Sequence, residues 1–229
     1  MGQFIDLAAA DGSKIPAYVA RPAGKPRGGI VVVQEIFGVN SHIRSVADGY
    51  AQSGYLAVAP AIFTRVKPGV ELRYDEAGIK EGMGYKTATD ALPAPGVLQD
   101  LQAAIDYAAG QGGGKVGIVG YCWGGLLAWR AACLLRGLAA AATYYGGGMT
   151  TPEEAARQPK APVISHFAEL DKHILLPGVQ AFQKQHPEIP VHIYNADHGF
   201  NCDQRGAWNE PAAKLARERT LALFAQHVG

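Results

Sequence analysis

The sequence predicts an α/β fold, a mostly parallel central sheet with helices on both faces. Short apolar or β-branched runs alternate with segments of helical periodicity along most of the chain, the pattern of strands joined by helical crossovers. Residues 29–34 read GIVVVQ, a continuous run of the kind strands show when both their faces are buried. Residues 115–119 run into Gly120-Tyr121-Cys122-Trp123-Gly124-Gly125, a glycine-flanked turn from strand to helix.

Residues 4–7 and 14–21 read as two strands joined by Asp11-Gly12, a hairpin turn signal. The buried strand at 29–34 is followed by a helix at 41–53 and another buried strand at 55–59. Residues 63–95 break this rhythm with charges, glycines and Pro68, Pro93 and Pro95, and are expected to be short helices and loop over the site. The apolar spacing of Val97, Leu98, Leu101 and Ile105 predicts a helix over 96–109. A strand at 115–119, the turn, a helix at 126–136 and a strand at 140–145 come next. Gly146-Gly147-Gly148 and residues 152–162 connect to a strand at 163–167, a helix at 176–184, a last strand at 191–194 and a closing helix at 211–226. No internal repeat is evident. The glycine runs at 112–114 and 146–148 lack the Lys-Ser/Thr of a phosphate-binding loop, which argues against a nucleotide site.

Length suits one domain spanning residues 1–229, and 48% hydrophobic with 18% charged residues suits a soluble globular protein. The net charge of +1 offers no basic surface for nucleic acid. Cys122, Cys133 and Cys202 are odd in number and form no CxxC pair, which suits a reducing cytosol better than a disulfide framework or a zinc ribbon. The segment beginning Met1-Gly2-Gln3-Phe4 carries neither a basic nor an apolar targeting region, and the longest apolar helical segment contains Arg130 and Arg136. A cytoplasmic protein with no membrane association is expected, a monomer or a small homo-oligomer.

The turn at 120–125 matches a nucleophile elbow with cysteine where serine usually stands. Cys122 at a helix N-terminus would meet a partial positive charge that favours thiolate; a buried structural cysteine is the plainer alternative. A thiol nucleophile needs a base, and the base needs an acid to orient it. Of seven histidines, His198 sits in the turn-rich loop Asn195-Ala196-Asp197-His198-Gly199-Phe200 after the last strand, at the sheet end where such groups gather. Asp171, four residues beyond the strand at 163–167, completes the order nucleophile, acid, histidine; Glu169 is its rival on the same loop. Glu35 ends the buried strand at 29–34, where a carboxylate needs a partner. It is read as aimed toward Cys122 or, alternatively, as ion-paired with Arg44, Arg65 or Arg73. The backbone N–H groups of Ile36 and Trp123 are candidates for an oxyanion hole.

Together these segments resemble the dienelactone hydrolase family of α/β-hydrolases, carboxymethylenebutenolidase-like proteins, over nearly the whole length. The resemblance rests on residues 34–40 (QEIFGVN), residues 115–125, Tyr144-Tyr145-Gly146, Asp171 and His198-Gly199-Phe200. It implies a Cys122–His198–Asp171 triad with Glu35 as a fourth member that substrate binding moves, and no cofactor or metal. It implies hydrolysis of an enol-lactone to maleylacetate through a thioester on Cys122. It also implies substrate contacts at Tyr85 and Phe37. Two arginines hold the substrate carboxylate in this family, and Glu81 and Cys202 stand at those positions here. Lys80 and Arg205 are the neighbouring cations that could replace them. A hydrolase of other small esters or thioesters is the nearest alternative, and a low-turnover ligand-binding protein on the same fold is a more distant one.

Overall fold

A computed structural model describes residues 2–229; Met1, where the N-terminal segment read above begins, lies outside the described residues. Gln3–Ala8 (β1) and Lys14–Ala20 (β2) pair antiparallel in the expected hairpin. Gly12 closes it at φ +83°, a conformation that disfavours any side chain. Gly29–Val33 (β3), Leu56–Pro60 (β4), Val116–Tyr121 (β5), Leu138–Tyr144 (β6), Val163–Ala168 (β7) and Val191–Tyr194 (β8) continue the sheet. The spatial order is β1-β2-β4-β3-β5-β6-β7-β8. Every pair from β4 to β8 is parallel, and β2 alone joins antiparallel neighbours on both sides. This is the α/β-hydrolase architecture.

Helices Ser41–Gln52 (α1), Glu76–Asp90 (α2), Leu98–Gly112 (α3), Trp123–Leu134 (α4), Pro152–Ala155 (α5) and Leu176–Gln185 (α6) connect the strands, and Glu210–His227 (α7) follows the last of them. Phe224 of α7 packs its ring against Tyr50 of α1 at 6.0 Å, so these two helices share one face of the sheet. On the other face α3 touches α4, and Trp129 of α4 meets Phe182 of α6 at 5.3 Å. The central strands β3, β4 and β5 are buried along their whole length, as expected for strands covered on both faces. No helix among the described residues is long and apolar enough to cross a membrane.

Residues 63–95 depart from the expectation of short helices. A 3₁₀ turn, Ile62–Arg65, leads through a loop into α2, a single helix of 15 residues. Asp75 caps it by accepting a hydrogen bond from the Gly78 N–H at 2.9 Å. Its packing face is built from Gly78, Gly82 and Thr89, so it carries no apolar stripe to read. Gly82 is required there, since a Cβ would lie 2.2 Å from the Ile36 carbonyl oxygen. The 3₁₀ turn is anchored by Arg65, whose guanidinium reaches the buried Asp100 at 2.6 Å and the hairpin residue Asp11 at 2.7 Å.

Candidate active site

Cys122 sits at the apex between β5 and α4 with φ +55° and ψ −122°. A non-glycine residue in this region is strained by about 1–3 kcal/mol and persists only where its surroundings hold it. Here its N–H donates to the Tyr144 carbonyl at 3.0 Å, and its carbonyl accepts from the Gly125 N–H at 2.9 Å. A Cβ on Gly120 would lie 1.9 Å from the Gly124 carbonyl oxygen, and one on Gly124 would lie 2.3 Å from that of Gln34. The turn is therefore wedged against the end of β3, which brings the loop beginning at Glu35 beside the half-exposed sulfur.

His198 Nε2 lies 3.1 Å from Cys122 Sγ, and His198 Nδ1 lies 2.7 Å from Asp171 Oδ2. The other Asp171 oxygen accepts from the backbone N–H groups of His173 at 2.7 Å and Ile174 at 3.2 Å. Burial raises the Asp171 carboxyl, but the His198 contact and these two donors outweigh it and hold the group below its usual value. Burial works against an imidazolium at His198, yet the Cys122 sulfur and Asp171 together push it up to about 10. Tyr145, with φ +36°, packs its ring 5.1 Å from that of His198 and limits its motion. Asp197 donates nothing to this array; its carboxylate accepts from the His198 N–H at 2.7 Å, as a turn former does. Glu169, the alternative acid, is exposed.

Glu35 is fully buried, and its partners are not the arginines suggested by sequence proximity. Tyr74 Oη donates to Oε2 at 2.8 Å, and Arg205 Nη1 lies 3.5 Å from Oε1. Arg44 pairs instead with Glu71, Arg65 with Asp11 and Asp100, and Arg73 with Asp75. Arg205 also lies over the rings of Phe37 at 5.8 Å and Tyr74 at 5.9 Å, while Phe37 packs on Tyr74 at 4.4 Å. Cys202 is buried beside them, its thiol pushed up to about 12 by burial and by the Glu35 charge.

The backbone N–H groups of Ile36 and Trp123 make no hydrogen bond to an acceptor among the described residues. They lie on the two segments that the Gly124 contact presses together. The Trp123 ring stacks on Phe63 at 5.2 Å and its Nε1–H donates to Asp90 at 3.2 Å, tying the elbow to the end of α2. Tyr85 packs on Phe63 at 5.7 Å and donates to Glu81. Lys80 differs from the expectation: it is exposed, two residues from both Gly78 and Gly82, and so projects from the opposite side of α2.

Two other histidines are bonded in the core, away from the site. His166 is a core residue bonded to Tyr194 and Thr220, and burial lowers its pKa well below the usual value. His186 is likewise buried, on the Ala155 carbonyl. Tyr74 and Tyr145 are the site residues that sequence reasoning missed. Tyr74 lies in a loop without local pattern, and only the buried carboxylate at Glu35, which demands a donor, signals that such a residue exists.

The sequence model of the dienelactone hydrolase family matches residues 15–228. Carboxymethylenebutenolidase of Pseudomonas putida is 35% identical over 228 residues, 96% of this chain and 95% of that protein. A Synechocystis protein assigned as a carboxymethylenebutenolidase is 35% identical over 92% of this chain and 91% of its own length. A crystal structure from Klebsiella pneumoniae, assigned as a dienelactone hydrolase, superposes with a TM-score of 0.84 at 31% identity, covering 99% of each chain.

Proposed function

The chain belongs to the dienelactone hydrolase family, a hydrolase acting on lactone or ester bonds, and on that premise we propose that it opens a small acidic lactone through a thioester on Cys122. The observation that carries this reading is the continuous contact from Cys122 Sγ through His198 to Asp171, at 3.1 and 2.7 Å. His198 Nε2 takes the thiol proton, and Asp171 holds the resulting imidazolium in place. The thiolate attacks the lactone carbonyl carbon, and the oxygen gathers charge between the Ile36 and Trp123 N–H groups. The ring C–O bond then breaks, and the leaving enolate regains a proton from His198. Water, deprotonated by His198, attacks the thioester; the acid leaves and Cys122 returns to the thiol.

Arg205 is the cation for the substrate carboxylate in this reading, and Lys80 is not, because Lys80 projects from the far side of α2. A substrate carboxylate that claims Arg205 competes with Glu35 for it. Glu35 is then released to move beside Cys122 and help transfer the thiol proton to His198, so that the nucleophile is activated when substrate is present. Protection of the resting thiol from oxidation is the physical benefit.

A second reading, hydrolysis of uncharged esters or thioesters by the same residues, draws on Glu81 and Cys202 at the family's two arginine positions. Steady-state hydrolysis of a dienelactone and of p-nitrophenyl acetate, with wild type and Cys122→Ala, separates the two. The proposed function requires a Cys122-dependent preference for the dienelactone. Cys122-dependent turnover of the neutral ester alone selects the second reading, and activity indifferent to the substitution removes Cys122 as nucleophile.

A further inference from the structure

A group of metal-type donors lies next to the proposed reaction centre and shares only Glu35 with it. His42, on the first turn of α1, is 3% exposed, and its Nδ1 is bonded to Asp203 at 2.9 Å. Nε2 of the same ring is buried and has no hydrogen-bond partner among the described residues. One nitrogen oriented by a carboxylate and the other bare is the arrangement of imidazoles that ligate metals. It is also costly without a ligand, since a buried unsatisfied polar atom destabilises a fold. A ring nitrogen of His42, the Cys202 sulfur and a Glu35 carboxylate oxygen lie within 4.8 Å of one another, and all three residues are buried. They come from three separate segments: the end of β3, α1, and the loop between β8 and α7. A cleft of about 600 Å³ lined by His42, Asn201 and Asp203 opens to solvent on the His42 side of the group.

We propose that Glu35, His42 and Cys202 bind a divalent cation of the zinc class. Sulfur, imidazole nitrogen and one carboxylate oxygen suit Zn²⁺ or Co²⁺, whereas Mg²⁺ and Ca²⁺ prefer oxygen throughout. Donors at zinc bond lengths in a tetrahedron stand roughly 3.3–3.8 Å apart, so these three need to close in by at most about 1.5 Å. Water, or the Tyr74 hydroxyl already on Glu35, takes the fourth position. Binding releases the Cys202 thiol proton to solvent, while Nδ1–H stays with Asp203. The cation then keeps Glu35 from moving to Cys122 and so inhibits hydrolysis. This inhibition rests on the function proposed above; the binding does not.

The test is titration of the Cys122→Ala protein with Co²⁺, which removes the competing thiol at the reaction centre and leaves hydrolysis out of the readout. One equivalent of Co²⁺ with a near-ultraviolet thiolate-to-cobalt band, displaced by Zn²⁺, is expected. Adding Cys202→Ser abolishes the band, and adding His42→Gln weakens binding by about tenfold or more, with folding checked by circular dichroism. Absence of the band in Cys122→Ala, or its survival in the Cys202→Ser double variant, overturns the site. If the band behaves as expected but Zn²⁺ inhibits wild type and Cys202→Ser equally, the site stands and the link through Glu35 is overturned.

Discussion

Replacing Arg205 with glutamine separates its two assigned duties, as counter-ion to Glu35 and as clamp for the substrate. Arg205 Nη1 lies 3.5 Å from a Glu35 carboxylate whose side chain is 0% exposed, while Arg205 itself is 21% exposed. Removing one partner of a buried pair costs about 3–5 kcal/mol. Tyr74 still donates to Glu35 at 2.8 Å in the variant. With that donor retained Glu35 is not left wholly unsatisfied, so the loss of stability should lie at or just below the low end of that range, about 2–3 kcal/mol. For a chain of this size that is a Tm lower by about 4–12 °C in scanning fluorimetry. The second effect is kinetic. Losing a charge-assisted contact to the substrate carboxylate lowers kcat/KM for a dienelactone by about 10- to 150-fold. The neutral ester p-nitrophenyl acetate has no carboxylate to lose, so the ratio of the two kcat/KM values should drop by about tenfold or more. Arg205→Lys keeps the charge without the fork and should fall between. A lower Tm with an unchanged ratio would refute the clamp and leave Arg205 as counter-ion alone.

Three further outcomes follow from the packing and the charges. Arg65→Leu strands Asp100, whose side chain is 1% exposed, and should lower the unfolding free energy in urea by about 3–5 kcal/mol, with Arg65→Leu/Asp100→Leu recovering part of it. Gly124→Ala drives a Cβ to 2.3 Å from the Gln34 carbonyl and should abolish activity or soluble expression, whereas Gly147→Ala, with nothing within 4 Å of its Cβ, should change stability by less than about 0.5 kcal/mol. The His198 shift, from 6.5 to about 10, stabilises the fold fully below the unfolded value and fades as pH rises toward 10. The depressed Asp171 contributes above its unfolded value of 3.8 and is lost in acid. The Tm difference between wild type and His198→Gln should therefore be greatest between those two unfolded values and shrink toward pH 10; a difference that grows with pH contradicts the assignment.

Much of this arrangement is legible in the sequence, for physical reasons that also mark where legibility ends. Strands β3, β4 and β5 announce themselves because burial on both faces leaves unbroken apolar runs. The elbow is legible because Gly120 and Gly124 meet backbone atoms that no side chain could pass. His198 and Asp171 follow from strand ends and chain order, and they meet at 2.7 Å. α2 is hidden because glycines, not an apolar stripe, form its packed face. Nearness in sequence misled twice. Lys80 is beside position 81, but one step along a helix turns the side chain by about 100°. Arg44, Arg65 and Arg73 are nearer to Glu35 along the chain than Arg205, yet each is engaged by another carboxylate. Tyr74 carries no local signature, since its importance lies in a contact across the fold, and Tyr145 lies in a segment that carries the resemblance without revealing its contact with His198.

An acyl group on Cys122 is the proposed intermediate, and intact-protein and peptide mass spectrometry after rapid acid quenching detects it. With a slowly hydrolysed ester as substrate, the account predicts an adduct with the mass of the acyl group on the peptide containing Cys122. That adduct should be absent in Cys122→Ala and lost on treatment with hydroxylamine, as a thioester is. Turnover without any adduct on Cys122, or with the acyl group on another residue, would contradict it.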